Sequence, residues 1–270
     1  MLDLALPPRA THRACAVGAR LAAQLSADVP TRGRVHSVFA RAINLEREDG
    51  SLLTLHSPGP LAAPFAIALA TWGEDLAGGR ITLDLSAASR RDLCISPARE
   101  PAGAARAAVA AALEAASAAR VADGLGSARG LAARAALSRA IGRRDSGGFL
   151  SAAGELVGLG EGLTPAGDDY LVGALAILHR LAGGWPVCAP SPARALAAQA
   201  HARTTTVGAA FLAHSVAGEF SEPLRDLVMA SSADAARVAA GVLARMGATS
   251  GADTLAGMRA ALDALADGRP

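Results

Sequence analysis

The sequence predicts an α+β protein, with a small antiparallel β-sheet or barrel in its first third and an alanine-rich helical bundle after it. Three observations carry that prediction. Strand-like runs of Val, Ile, Leu and Phe are confined to about residues 33–96, bounded by Gly and Pro. From about Gly103 onward the chain reads as helix after helix, separated by Gly and Pro breakers. Ala supplies 69 of 270 residues and aromatics only 3%, which favours closely packed helices because Ala is the best helix former and adds little bulk. Strands followed by helices, rather than alternating with them, point away from a doubly wound sheet. The expected division is residues 1–102, mainly β with a leading helix, and residues 103–270, helical.

Taken in order, about Ala10–Leu25 reads as a helix. Arg34–Glu46 (RVHSVFARAINLE) and Ser51–His56 (SLLTLH) read as strands joined by an Asp49-Gly50 turn, a strong hairpin signal. A second hairpin is expected at Gly78-Gly79, followed by the alternating strand Arg80–Leu85. Helices are then expected at about 103–122, 128–142, 147–157, 165–182, 192–218, 222–230, 233–246 and 251–266.

Composition excludes several chemistries. All 26 basic residues are Arg, so a P-loop lysine, a Schiff-base lysine and a lysine general base are absent, and Arg is the one fixed cation for anions. Twenty-six Arg against 24 acids, interspersed, leave no basic face for nucleic acid. Cys15, Cys94 and Cys188 form neither a metal-ligand pair nor a disulfide framework, so a cytoplasmic location is expected. Arg9, Arg13 and Arg20 interrupt the apolar stretches near the N-terminus, so no secretory signal is expected. The longest apolar run, near Leu171–Leu178, is too short to span a bilayer. No G-x-S-x-G, H-E-x-x-H or C-x-x-C motif supports serine, zinc or thiol chemistry.

The most informative segment is Gly158–Gly173, GLGEGLTPAGDDYLVG. Its glycines, Gly160, Gly162 and Gly167 among them, suit positive φ or close approach of a ligand to the main chain. Thr164-Pro165 reads as an N-cap followed by Pro at the first helical position, with Asp168 as the alternative cap. Either start leaves free N–H groups at a helix N-terminus, which favour carboxylate or phosphate. Asp168 and Asp169 point about 100° apart on a helix, and their repulsion would be relieved by Arg or by Mg²⁺. A similar helix start lies 84 residues on: Ala166-Gly167-x-Asp169-x-Leu171-x-Gly173 matches Ser250-Gly251-x-Asp253-x-Leu255-x-Gly257, and Ser250 with Asp253 has capping-box spacing. The two could face each other across one site, making Asp168, Asp169 and Asp253 candidate catalytic and metal-binding residues.

Arg203-Thr204-Thr205-Thr206 is poor helix interior and reads either as an anion contact or as a helix break. Glu219 reads as a surface acid. His12, His56, His179 and His214 lack ligand spacing or an orienting partner. In the strand region His36 and Asn44, the one Asn in the chain, either face solvent or make specific bonds; both are candidate substrate contacts.

These motifs, with GEFS at 218–221, TSGADTLAG at 249–257 and VHSVFxxAINL from residue 35, resemble a bacterial family first catalogued as a domain of unknown function. Its named member is the AllH-type subunit of oxamate carbamoyltransferase. The resemblance covers roughly residues 33–262 and rests above all on GLTPxGDD. It implies a subunit that acts with other carbamoyltransferase subunits in ureide and allantoin nitrogen use, where oxalurate and phosphate become oxamate and carbamoyl phosphate. All four are anions, and candidate contacts for them are Gly160, Gly162, Thr164, Gly167, Arg203, Thr204, Thr205, Ser250, Gly251, His36 and Asn44. The S-x-R-T-R and H-P-x-Q motifs of ordinary carbamoyltransferases are absent, so any carbamoyl transfer here uses a different construction. GADTLAG is also similar to the acidic metal motif of ADP-ribosylglycohydrolases, which leaves a Mg²⁺-dependent hydrolase as an alternative. A structural or ligand-sensing subunit without catalysis is a further one.

Overall fold

A computed structural model describes residues 11–25, 33–73, 82–99, 102–115 and 123–267. The chain divides into two compact units, residues 1–93 and 94–270. The α+β class is as expected from sequence.

The N-terminal unit contains β1 (Thr11–Gly18), α1 (Ala19–Gln24), β2 (Gly33–Phe39), β3 (Ala42–Arg47), β4 (Leu52–His56), β5 (Ala66–Leu69), β6 (Thr82–Asp84) and β7 (Ser89–Arg91). The sheet order is β2-β3-β4-β5-β1-β6, with β7 also paired to β1. The sheet is mixed: β4–β5, β1–β6 and β1–β7 are parallel, and the other pairings antiparallel. Every residue of β4 and β5 is buried, the pattern of strands covered on both faces. Leu53, Leu55, Ile67 and Leu69 form the core of this unit with Val17, Ile43 and Leu21.

Two expectations are corrected here. Ala10–Leu25 was expected as one helix, but only Ala19–Gln24 is helical; Thr11–Gly18 is the inner strand β1, because pairing with β5 and β6 outweighs the helix propensity of its alanines. Arg34–Glu46 is not one strand but the hairpin β2–β3, whose turn at Ala40-Arg41 carries no Gly, Pro, Asn or Asp to mark it. The Asp49-Gly50 turn forms as expected: Gly50 takes φ +78°, and its N–H donates to the Arg47 carbonyl at 2.9 Å. The Gly78-Gly79 turn lies outside the described residues.

The C-terminal unit contains α2 (Ala102–Ala115), α3 (Asp123–Gly126), α4 (Ala128–Arg143), α5 (Ser146–Leu156), α6 (Ala166–Ala182), α7 (Pro190–Arg203), α8 (Thr206–Val216), α9 (Glu222–Val228), α10 (Ala233–Leu243) and α11 (Ser250–Asp267). Helix α6 is its axis: every residue from Ala166 to Leu178 is buried, so it is covered all round. Each fully buried Leu or Ile along it contributes roughly 1.5–3 kcal/mol. The expected helix 192–218 is two helices. Thr204 leaves helical geometry, and the Thr205 hydroxyl caps α8 by accepting the Gly208 N–H at 2.9 Å. Glu219 was expected at the surface but is buried, with its Oε2 2.9 Å from His214 Nδ1, which also gives His214 the partner the sequence did not suggest. Among the described residues no helix is long and apolar enough to cross a membrane.

Candidate functional site

The site is built where α5 hands over to α6. After α5 the Leu159 N–H donates to the Leu156 carbonyl, and the Gly167 N–H returns to the Leu159 carbonyl, both at 2.8 Å, closing a loop over residues 159–167. Gly160 and Gly162 take φ of +115° and +90°, which residues with a side chain rarely adopt. Helix α6 starts at Ala166 with Pro165 at the cap position and no side-chain cap. Neither expected cap is used. Thr164 instead places its Oγ1 2.8 Å from Ser250 Oγ, and Asp168 sits inside the first turn. At the other helix start Ser250 is already the first residue of α11 and the Asp253 N–H donates to the Thr249 carbonyl at 2.9 Å, so Ser250 is not the cap expected from sequence.

The N–H groups of Gly160, Glu161, Gly162, Leu163 and Thr164 donate to no group among the described residues. Gly160, Glu161 and Gly162 are exposed, and Leu163 and Thr164 half-buried, so these donors line an open rim. Successive N–H groups beside a helix N-terminus make an anion-binding concavity.

Asp168 is the tie beneath that rim. It is 1% exposed; Oδ1 accepts the Gly158 N–H at 2.9 Å, and Oδ2 accepts the Thr204 hydroxyl. Burial pushes its carboxyl up to about 6, against the pull of the Thr204 and Gly158 bonds. The neighbouring Thr205 hydroxyl donates to the Leu163 carbonyl at 2.5 Å. The Arg-Thr run and the glycine loop, 40 residues apart in sequence, are therefore laced together, and the helix break at Thr204 is what presents both hydroxyls. Sequence reasoning missed Gly208: any side chain there would collide with Asp168 Oδ2. The Thr205-x-x-Gly208 cap spacing was the available signal. The exposed Arg203 points its guanidinium toward Gly154 on α5, and its carbonyl packs on Gly158.

The paired helix starts do meet. A methyl at Gly173 would strike the Thr254 carbonyl, and one at Gly257 would strike the Tyr170 carbonyl. Tyr170 and Thr254 are equivalent in the matched motifs, so α6 and α11 touch reciprocally across a local twofold. Gly167 packs on the Leu156 carbonyl at the end of α5, and Gly251 on the Leu243 carbonyl at the end of α10, extending the same symmetry. Beside this axis Asp169 is 7% and Asp253 0% exposed. Burial pushes the Asp169 carboxyl up to about 8; the Ser250 and Thr164 hydroxyls oppose that rise, and the Asp253 and Asp168 charges add to it.

His36 and Asn44 lie in the N-terminal unit. Asn44 donates to Ser37 Oγ at 2.9 Å and accepts the Thr54 hydroxyl at 2.7 Å, a polar rung across β2, β3 and β4. His36 Nδ1 is 3.2 Å from Ser37 Oγ. Among the described residues no group of three or more His, Cys, Asp or Glu side chains is placed to hold a metal ion.

Fold and site thus describe a two-unit α+β protein whose helical unit carries a glycine loop and buried acids at paired helix starts. Residues 156–262 match the family model for oxamate carbamoyltransferase subunit AllH, and residues 13–96 match the model for the AllH family N-terminal domain, so the chain belongs to the AllH family. Comparison with curated proteins and with solved structures finds no match.

Proposed function

We propose that this chain binds a small carboxylate or phosphate anion on the 160–164 main-chain amides, as one subunit of a complex that transfers a carbamoyl group between oxalurate and phosphate. Family membership supports the reaction class and the existence of partner subunits. The observation that carries the binding reading is the run of five N–H groups left without a protein acceptor at an open rim. Asp168, Thr204 and Thr205 support it as positioning residues, because they fix the loop from behind while leaving those donors free.

In the proposed reaction a phosphate oxygen attacks the carbamoyl carbon of oxalurate. A tetrahedral oxyanion forms, the bond from that carbon to the oxamate nitrogen breaks, and the nitrogen takes up a proton. Main-chain donors already in place stabilise such an oxyanion without reorganising. The pathway reading is ureide and allantoin nitrogen use in the cytoplasm. The test is co-expression with candidate partner subunits and measurement of phosphate-dependent oxalurate cleavage. The proposal expects activity in the complex that falls at least tenfold with Thr204→Val. Full activity of a complex lacking this chain would contradict it.

A further inference from the structure

We infer that Asp169 and Asp253, with the Thr164 and Ser250 hydroxyls beside them, form a site for one hard divalent cation of the Mg²⁺ class. The first support is an orphaned atom: Asp169 Oδ2 is closed off from solvent and has no hydrogen-bond partner. A buried carboxylate oxygen left unpaired is costly, and no arginine pairs with Asp169 among the described residues. The second support is the reciprocal packing of α6 and α11. Gly173 and Gly257 let the two helix starts approach at backbone distance, which brings two acids from equivalent positions beside one local axis. Their charges act on each other across it. The third is the donor set. Two carboxylates and two hydroxyls are hard oxygen ligands of the kind a Mg²⁺-class ion takes. Thr164 and Ser250, whose hydroxyls lie 2.8 Å apart, are half-buried and so lie nearer the surface than the two acids. Asp168 is not part of it, because its oxygens are held by Gly158 and Thr204.

The site also bears on the anion reading, and this part rests on it. Thr164 is both the last residue of the free amide run and a rim hydroxyl over the acids. A cation bound beside the last of those amides would attract an anion to them. Cation and anion should therefore strengthen each other's binding by the same factor, about fivefold or more.

The experiment titrates the full chain with Mn²⁺ alone, following free Mn²⁺ by electron paramagnetic resonance, with Mg²⁺ as competitor. The expected result is one Mn²⁺ per chain, displaced by Mg²⁺, with affinity at least tenfold weaker in Asp169→Asn and Asp253→Asn and unchanged in Asp263→Asn on the exposed side of α11. If either Asn variant fails to fold by circular dichroism, the Thr164→Val/Ser250→Ala pair decides, with an expected loss of threefold or more. Absence of saturable Mn²⁺ binding, or wild-type affinity in the folded variants, overturns the inference. Phosphate and oxalurate titrated without metal separate the two claims. Anion binding without cation binding leaves only the amide rim standing, and cation binding without anion binding leaves only the acid pair.

Discussion

At the scale of single residues, Asp168 shows why a buried acid can serve a surface loop. Its two oxygens satisfy one main-chain donor and one hydroxyl, so removing either partner leaves a buried polar group unpaired. Thr204→Val keeps the shape and removes the donor; it is expected to cost about 1–3 kcal/mol in urea unfolding, with Thr204→Ser close to wild type. Gly162 is the residue that separates binding from folding. A side chain there meets nothing within 4 Å but opposes a φ of +90°, so Gly162→Ala is expected to weaken anion binding several-fold at a stability cost of about 1 kcal/mol. Gly167 is unsuited to that purpose, since it packs directly on the Leu156 carbonyl. His179 gives a pH prediction. Burial holds it below its ordinary 6.5, while its Nε2 lies 2.9 Å from the Ser215 carbonyl. The unfolded chain therefore takes up this proton first, and the His179 contribution to stability falls as pH drops through about 6.5. His179→Gln is expected to flatten that part of a melting-temperature profile against pH.

At the scale of elements, the contact between α6 and α11 holds the account together. Gly173→Ala or Gly257→Ala would drive a methyl into a facing carbonyl and push the helices apart, at a cost of about 1–3 kcal/mol or more. Gly103→Ala, in open space on α2, is expected to stabilise by roughly 0.5–1 kcal/mol. Thermal unfolding of the three variants should rank them in that order. This contact was legible in the sequence as the repeated G-x-D-x-L-x-G, because Asp169 with Gly173, and Asp253 with Gly257, are four residues apart and share a helix face. What was not legible has a physical reason in each case. β1 looked helical because its alanines carry no signal of the strands that flank it. The β2–β3 turn lacks any residue that demands a special φ. The break at Thr204 was visible only as poor helix composition, and its purpose appears when Thr204 and Thr205 are seen bound to Asp168 and Leu163.

At the scale of the molecule, the two units divide the predicted site residues. The glycine loop, the Arg-Thr run and both acid-bearing helix starts lie in the C-terminal unit, while His36 and Asn44 belong to the sheet. Asn44 is locally explained by its rung with Ser37 and Thr54. Asn44→Ala is therefore expected to lower stability by about 1–3 kcal/mol and to leave the affinity for phosphate unchanged, which chemical unfolding and calorimetry would check together. The family was legible from local motifs, and the match of both units to the AllH family models agrees with them. The roles of Asp168 and Asp169 were not separable in sequence, because adjacent acids differ only in what each one faces after folding.

The most direct test of the amide rim is an amide NMR titration of the full chain with phosphate and with oxalurate. The account predicts saturable shifts concentrated on the N–H resonances of Gly160 to Thr164, with the Gly158 amide, already bonded to Asp168, moving less. Shifts scattered over the surface, or none in that loop at saturating anion, would contradict it.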